Sequence, residues 1–201
     1  VIGVTGAGTA SHFGMTDRAD ILMGSFSKAF GSFGGFIAAS KAVIDYLRYF
    51  AKSISFSIGL PPANAAAALQ ALKLLTEEPH LVAELETRHS LLRRCLAEAG
   101  FDNVLRSKSA IMSIMVGSES NCKQSTRDLF NAGVWIEGLP FPAVSRGQER
   151  LRFRARRSHS EDQIREAVKH LTHVADAYGY REGTRRTSSD RIHRIETRKL
   201  M

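Results

Sequence analysis

The sequence predicts an α/β protein, and three observations lead there. Short apolar runs with strand character alternate along the chain with longer segments of helical period. The helical segments carry their own start and stop chemistry, with serine or proline at one end and glycine at the other. The composition is that of a globular chain: 201 residues, 43% hydrophobic and 24% charged, with 16 Gly and 5 Pro.

The elements follow in order. Strands are expected at 21–23, 35–39, 111–116, 134–136 and 151–153, each short and apolar. Ser40 caps a helix over 41–50 with Val43, Ile44 and Leu47 on one face. Pro61 and Pro62 open an Ala-rich helix to about Leu75. Pro79 starts another through Leu81, Leu85, Leu92 and Leu96, and Gly100 ends it. This helix is expected to lead from one lobe into the next. A further helix near 123–131 stops at Gly133. The last begins on Ser160-Glu161-Asp162-Gln163, which fits a capping box. Ile164, Ala167, Val168, Leu171, Val174, Ala175 and Tyr178 then recur at helical spacing up to Gly179. No internal repeat is visible.

Composition excludes several classes. The chain is not collagen-like, disordered throughout or a disulfide mini-protein. No apolar run approaches the roughly 18 residues of a membrane helix, and the opening VIGVTGAGTASHFG lacks the basic-then-apolar form of a secretory signal. Cys95 and Cys122 form neither metal spacing nor a disulfide framework, so a reducing, cytoplasmic setting is expected. The net charge of +8 is unevenly placed: +4 lies in 181–201, +5 in 146–157, and the remainder sums to −1. A nucleic-acid footprint would coat a face of the fold, so no nucleic-acid partner is expected from this pattern. The 181–201 stretch has few large apolar residues and reads as a loose basic tail.

The segment richest in chemistry is DILMGSFSKAFGSFGGFIAA, residues 20–39. A lysine directly after a buried strand would be desolvated, which disfavours its charge and suits it to Schiff-base chemistry with an aldehyde cofactor. Ser25 and Ser27 can bond a phosphate or orient the amine, and Gly31, Gly34 and Gly35 let backbone approach a ligand. Taken as a bare pattern, the same residues describe a surface turn with a solvated Lys28.

The surroundings favour the first reading. The segment resembles the lysine motif of the α-oxoamine synthases, a branch of the fold-type-I pyridoxal-phosphate (PLP) enzymes. That motif reads D-I-x-M-G-T-[FL]-S-K-[AS]-[FL]-G-x-x-G-G, and each fixed position matches except Ser25, which stands where the family has threonine. The resemblance continues through the glycines of 3–14, Ile44-Asp45-Tyr46-Leu47-Arg48, Phe56-Ser57 with Leu60-Pro61-Pro62, and Glu149-Arg150-Leu151-Arg152 with His159. It covers about residues 1–178 and implies the C-terminal half of such a transferase. Residues 1–80 would close the large PLP-binding domain, 81–180 would form the small α+β C-terminal domain, and 181–201 the tail.

The resemblance also implies roles. Lys28 would carry the cofactor and act as acid and base on the substrate Cα. Ser25 would contact the cofactor phosphate, as would Ser57 in the neighbouring subunit's site. Ile58 replaces a residue that is commonly polar in relatives, leaving only its backbone N–H for that phosphate. Arg152 would clamp the amino-acid carboxylate, a task suited to a planar bidentate donor. The reaction would join an amino acid to an acyl-CoA or other acyl thioester, giving an aminoketone, in a cytoplasmic homodimer with no membrane partner and no metal. The family's pyridine-pairing aspartate and its two cofactor-site histidines would precede Val1. An alternative is a non-catalytic remnant or split subunit acting as an interaction module through its basic tail.

Other residues carry weaker signals. Arg150, Arg152, Arg154 and Arg156 alternate with Leu151, Phe153 and Ala155, which places the arginines on one strand face provided the strand continues that far. Arg154 and Arg156 replace the small or hydroxyl residues usual in the family, and a solvated face is the simpler reading for both. His159 is expected to orient the turn before the last helix. His89, His170 and His173 read as surface or packing residues, Trp135 as core, and Cys95 as a small hydrophobe. Gly3, Gly6 and Gly8 give a weak phosphate-loop signal.

Overall fold

The computed structural model describes residues 2–101 and 110–181. The expected tail over 182–201 therefore lies outside the described residues. The chain divides into two compact units at Glu84–Leu85, inside a helix.

The first unit opens with a four-residue helix, α1 (Thr9–His12), and a 3-10 turn at Thr16–Arg18. Strands β1 (Ile21–Ser25) and β2 (Gly35–Ala39) pair antiparallel, from Ile21 opposite Ala39 to Ser25 opposite Gly35. Helices α2 (Lys41–Phe50), α3 (Lys52–Ser55) and α4 (Pro62–Glu77) follow. Pro62 occupies the first helical position of α4, where a missing N–H costs nothing. Two strands cannot bury both of their faces. Met23 is accordingly 77% exposed, and Phe36 and Ile37 are also open to solvent.

Helix α5 (His80–Glu98) begins in the first unit and continues into the second. The second unit adds β3 (Met112–Met115), α6 (Glu119–Asn131), β4 (Glu137–Leu139), β5 (Arg150–Phe153) and α7 (Glu161–Tyr178). Its sheet has the order β3-β5-β4, antiparallel throughout, with β5 central. Leu96, Met112, Ile114, Leu129, Leu151 and Leu171 are almost fully buried and join one core from α5, β3, α6, β5 and α7. Apolar burial of this kind is the main driving force for the unit.

The caps of α7 match the sequence reading. Ser160 Oγ accepts from the Gln163 N–H at 3.1 Å, Gln163 Oε1 accepts from the Ser160 N–H at 2.9 Å, and Gly179 is left-handed at φ 67°. Helix α6 starts earlier than expected because Ser118 caps it, accepting from the Asn121 N–H at 3.1 Å. The expected strand at 134–136 is displaced to β4, and only Ile136 of that run is buried. Trp135, expected in the core, is 90% exposed. Ladder pairing with β5 begins at Glu137, and in the unpaired stretch before it Val134 and Ile136 face the core while Trp135 between them faces out.

Burial pushes the Tyr180 hydroxyl up to about 12, against the opposing effect of the Ser125 hydroxyl. An elevated folded value favours the protonated form. Its contribution is complete below the unfolded value of about 10 and is lost as pH rises through 12. Stability of the second unit is expected to fall between pH 10 and 12, and Tyr180→Phe to flatten that limb in urea titrations at stepped pH.

Candidate active site

The loop between β1 and β2 carries the candidate lysine. Lys28 sits at the start of a tight turn in which the Gly31 N–H reaches the Lys28 carbonyl at 3.1 Å, with Gly31 at φ 57°. The loop is fastened on both sides. The Phe26 N–H donates to Gly34 O and the Ser32 N–H to Phe26 O, each at 2.9 Å. Ser32 Oγ also donates to the Asn64 carbonyl of α4 at 2.8 Å.

Ser25 ends β1 with its hydroxyl 2.7 Å from that of Ser27, and the Ser27 N–H donates to Ser25 Oγ at 3.2 Å. Two hydroxyls and a backbone N–H therefore converge beside the lysine. Lys28 itself is exposed and forms no ion pair among the described residues. The expectation that it follows a buried strand is corrected here. Among the described residues β1 pairs with β2 on one edge and alternates between exposed and half-buried residues, and the Lys28 side chain after it is exposed. An exposed amine, paired hydroxyls and a glycine-held loop form a donor set that fits an aldehyde cofactor with a phosphate group.

Gly35 is required by close approach. A Cβ there would lie 2.5 Å from the Gly24 carbonyl oxygen, a backbone atom that cannot swing away. Gly35→Ala is expected to loosen the β1–β2 pairing by about 1–3 kcal/mol. Faster amide exchange at Phe26, whose N–H bonds Gly34 O, measures the effect.

Ser57 and Ile58 follow α3, and no hydrogen bond among the described residues joins them to Lys28. Ser57 Oγ donates to the Ser53 carbonyl at 2.5 Å, so its single proton is already engaged. Ile58 is 98% exposed.

Arg152 lies in the second unit, on β5 opposite Glu137 of β4. The two side chains form an ion pair through Nη2 and Oε2, while Arg152 Nε is buried without a partner. The sequence reading missed Glu137, because a register match between β4 and β5 leaves no local signal. The alternation of burial follows expectation, with Leu151, Phe153 and Ala155 buried and Arg154 and Arg156 exposed, but β5 ends at Phe153, so Arg154 and Arg156 lie beyond the strand. His159 Nδ1 accepts from the Arg156 N–H at 3.2 Å, as its turn-orienting role requires. Burial and then the Arg156 guanidinium hold its imidazole below the usual range. His89 is a packing residue; its buried ring donates from Nε2 to the Ala155 carbonyl at 3.2 Å.

Burial, then Glu149, pushes the Cys122 thiol up, which makes it a poor nucleophile. Among the described residues no group of three His, Cys, Asp or Glu side chains is arranged to hold a metal, and no helix is long and apolar enough to cross a membrane.

The profile of the family "Aminotransferase class I and II" matches residues 2–171. The serine palmitoyltransferase of Sphingobacterium spiritivorum is 39% identical over 174 residues, 87% of this chain and 43% of that protein. The 8-amino-7-oxononanoate synthase of Trichlorobacter lovleyi is 41% identical over 182 residues, 89% of this chain and 46% of that protein. A serine palmitoyltransferase solved with PLP as an internal aldimine superposes with a TM-score of 0.79 at 23% identity, covering 89% of this chain and 45% of that one. The chain thus spans about half the length of the relatives it matches. By the family match over residues 2–171 and by these relatives, both α-oxoamine synthases, the chain belongs to the aminotransferase class I and II family, in its α-oxoamine synthase branch.

Proposed function

We propose that this chain supplies the lysine-bearing half of a PLP-dependent acyltransferase, a cytoplasmic homodimer that condenses an amino acid with an acyl thioester such as acyl-CoA to an aminoketone. The observation that carries this reading is Lys28: a solvated amine without an ion-pair partner among the described residues, on a glycine-held turn beside two hydroxyls. Family membership gives that amine its chemistry.

PLP, when bound, supplies an aldehyde carbon for the amine and an electron-withdrawing ring. In this reading the chain's own residues do the rest. Lys28 holds the cofactor covalently between turnovers, then takes the proton from the substrate Cα and returns it. Ser25 donates its hydroxyl proton to the phosphate. Ser57 does the same for the neighbouring subunit's site after releasing the Ser53 carbonyl, and Ile58 adds a backbone N–H. Arg152 binds the amino-acid carboxylate with its outer nitrogens after Glu137 releases them.

The test is a PLP titration of the native protein that carries this sequence. A visible absorbance band should appear, become permanent under borohydride, and map to the Lys28 peptide by mass. Absence of the band at excess cofactor would overturn the reading.

A further inference from the structure

The turn that carries Lys28 takes its shape from within and its orientation from outside. Within it, the Gly31 N–H closes onto the Lys28 carbonyl, and Phe26 bonds to both Gly34 and Ser32. Those bonds hold the turn together but do not fix how it sits on the ends of β1 and β2. Among the described residues that sheet has two strands, and a pairing of this size is marginal by itself. Ser25, Ser27 and Lys28 lie on the exposed side of the turn. Phe26 and Phe30, two residues before and after the lysine, are half-buried, with ring centroids 5.5 Å apart in an edge-to-face pair.

The outside hold comes from the start of α4. Ser32 Oγ donates to the Asn64 carbonyl at 2.8 Å and accepts from Asn64 Nδ2 at 3.4 Å. The hydroxyl's one proton and one of its lone pairs therefore meet the same residue. Both residues are half-buried, which limits competition from water. The receiving surface is stiff. Pro61 and Pro62 have ring-fixed φ angles, and the N–H groups of Asn64 and Ala65 bond back to the Pro61 carbonyl at 3.0 and 3.1 Å. Leu60 also packs on the turn. A Cβ at Gly34 would lie 2.9 Å from Leu60 Cδ1, and Gly34 is left-handed at φ 88°. Two contacts at separate points resist rotation, where a single one would act as a pivot.

We infer that Ser32 is a positioning residue for Lys28: through its paired bonds to Asn64 it sets the direction from which the amine meets the aldehyde carbon while Ser25 holds the phosphate. The inference rests on the proposed function, in which Lys28 carries the cofactor, and adds to it a residue that touches neither cofactor nor substrate. The bonds span 32 residues of sequence, so the lysine motif does not contain them. Reach alone does not require such a brace, because an exposed lysine samples many rotamers. Alignment does, since a misplacement of about 1 Å away from the chemistry can cost about 10²-fold.

The test compares the native protein that carries this sequence with its Ser32→Ala and Asn64→Ala variants. Ser32→Ala loses both bonds, while Asn64→Ala loses the longer one and keeps the bond to the main-chain carbonyl. In cofactor-free protein, amide exchange at Gly31 should quicken in Ser32→Ala and less so in Asn64→Ala. Labelling of Lys28 by acetic anhydride, which needs exposure only, should be the same in all three. Capture of PLP, followed as borohydride-fixed Lys28 peptide over time, should slow about tenfold in Ser32→Ala and about threefold in Asn64→Ala. The value of kcat per fixed lysine should fall in the same order, with KM for the acyl thioester unchanged. A merely structural loss would lower the folded fraction and leave the rate per fixed lysine as it was. Unchanged Gly31 exchange, unimpaired capture or kcat in Ser32→Ala, or a loss in Asn64→Ala as large as in Ser32→Ala overturns the positioning role. A parallel drop in acetic-anhydride labelling traces the loss to a covered amine and overturns it too. Native protein that fixes no PLP removes the proposed function, an outcome distinct from native capture with an unimpaired Ser32→Ala, which removes only the positioning role.

Discussion

Lys28→Ala is expected to abolish the borohydride-fixable absorbance of the native protein and to lower its condensation rate by about 10²–10⁴-fold. The side chain is exposed and makes no ion pair among the described residues, so its removal leaves no buried partner stranded. Far-UV spectrum and thermal midpoint should therefore stay within error while activity falls. That separation makes the result diagnostic. Steady-state rates with amino acid and acyl thioester measure the loss, and added methylamine tests its origin. Partial rescue by a free amine indicates a missing proton carrier, since an external base can enter the exposed loop. A variant that keeps half or more of its rate would exclude Lys28 from the chemistry.

Leu151→Ala is expected to destabilise the second unit by about 2–5 kcal/mol. Leu151 is fully buried at the centre of β5, the strand bonded on both sides, opposite Ile114 of β3 and Gly138 of β4. No surface residue can fold inward to fill the space, because its sequence neighbours Arg150 and Arg152 point to the other face. Urea unfolding followed by far-UV signal should show the midpoint shift. Arg152 lies on the same strand, so the carboxylate binding proposed for it should weaken with stability. A loss under 1 kcal/mol would mean that the core relaxes around the gap.

Local chemistry was legible in the sequence, and long-range pairing was not. Ser160 and Gln163 stand three residues apart and cap each other, and Gly179 closes the other end, so both ends of α7 are legible in the sequence. The start of α6 was harder: ESNCKQSTRD is polar, and the cap at Ser118 precedes any apolar periodicity. β4 slipped past its expected position because its register depends on β5, 15 residues away from Glu137 at Arg152. The same gap hid the Glu137–Arg152 pair. The motif singles out Lys28 and Ser25, and the Ser25–Ser27 hydroxyl pair follows from adjacent residues. The solvation of Lys28 was misread because burial of β1 depends on what flanks it, which no window of 20 residues contains.

In the proposed reading, in which Arg152 holds the substrate carboxylate, Glu137 makes that site selective by competition. A side chain tethered on the adjacent strand acts as an internal ligand at an effective concentration of millimolar or above. A free monoanion such as acetate must outcompete it for Arg152 and gains little by doing so. A substrate that is also held elsewhere brings its carboxylate with a comparable local concentration and displaces Glu137. The ion pair therefore works as a threshold: it lowers affinity for every carboxylate and leaves the clamp to ligands that arrive already anchored.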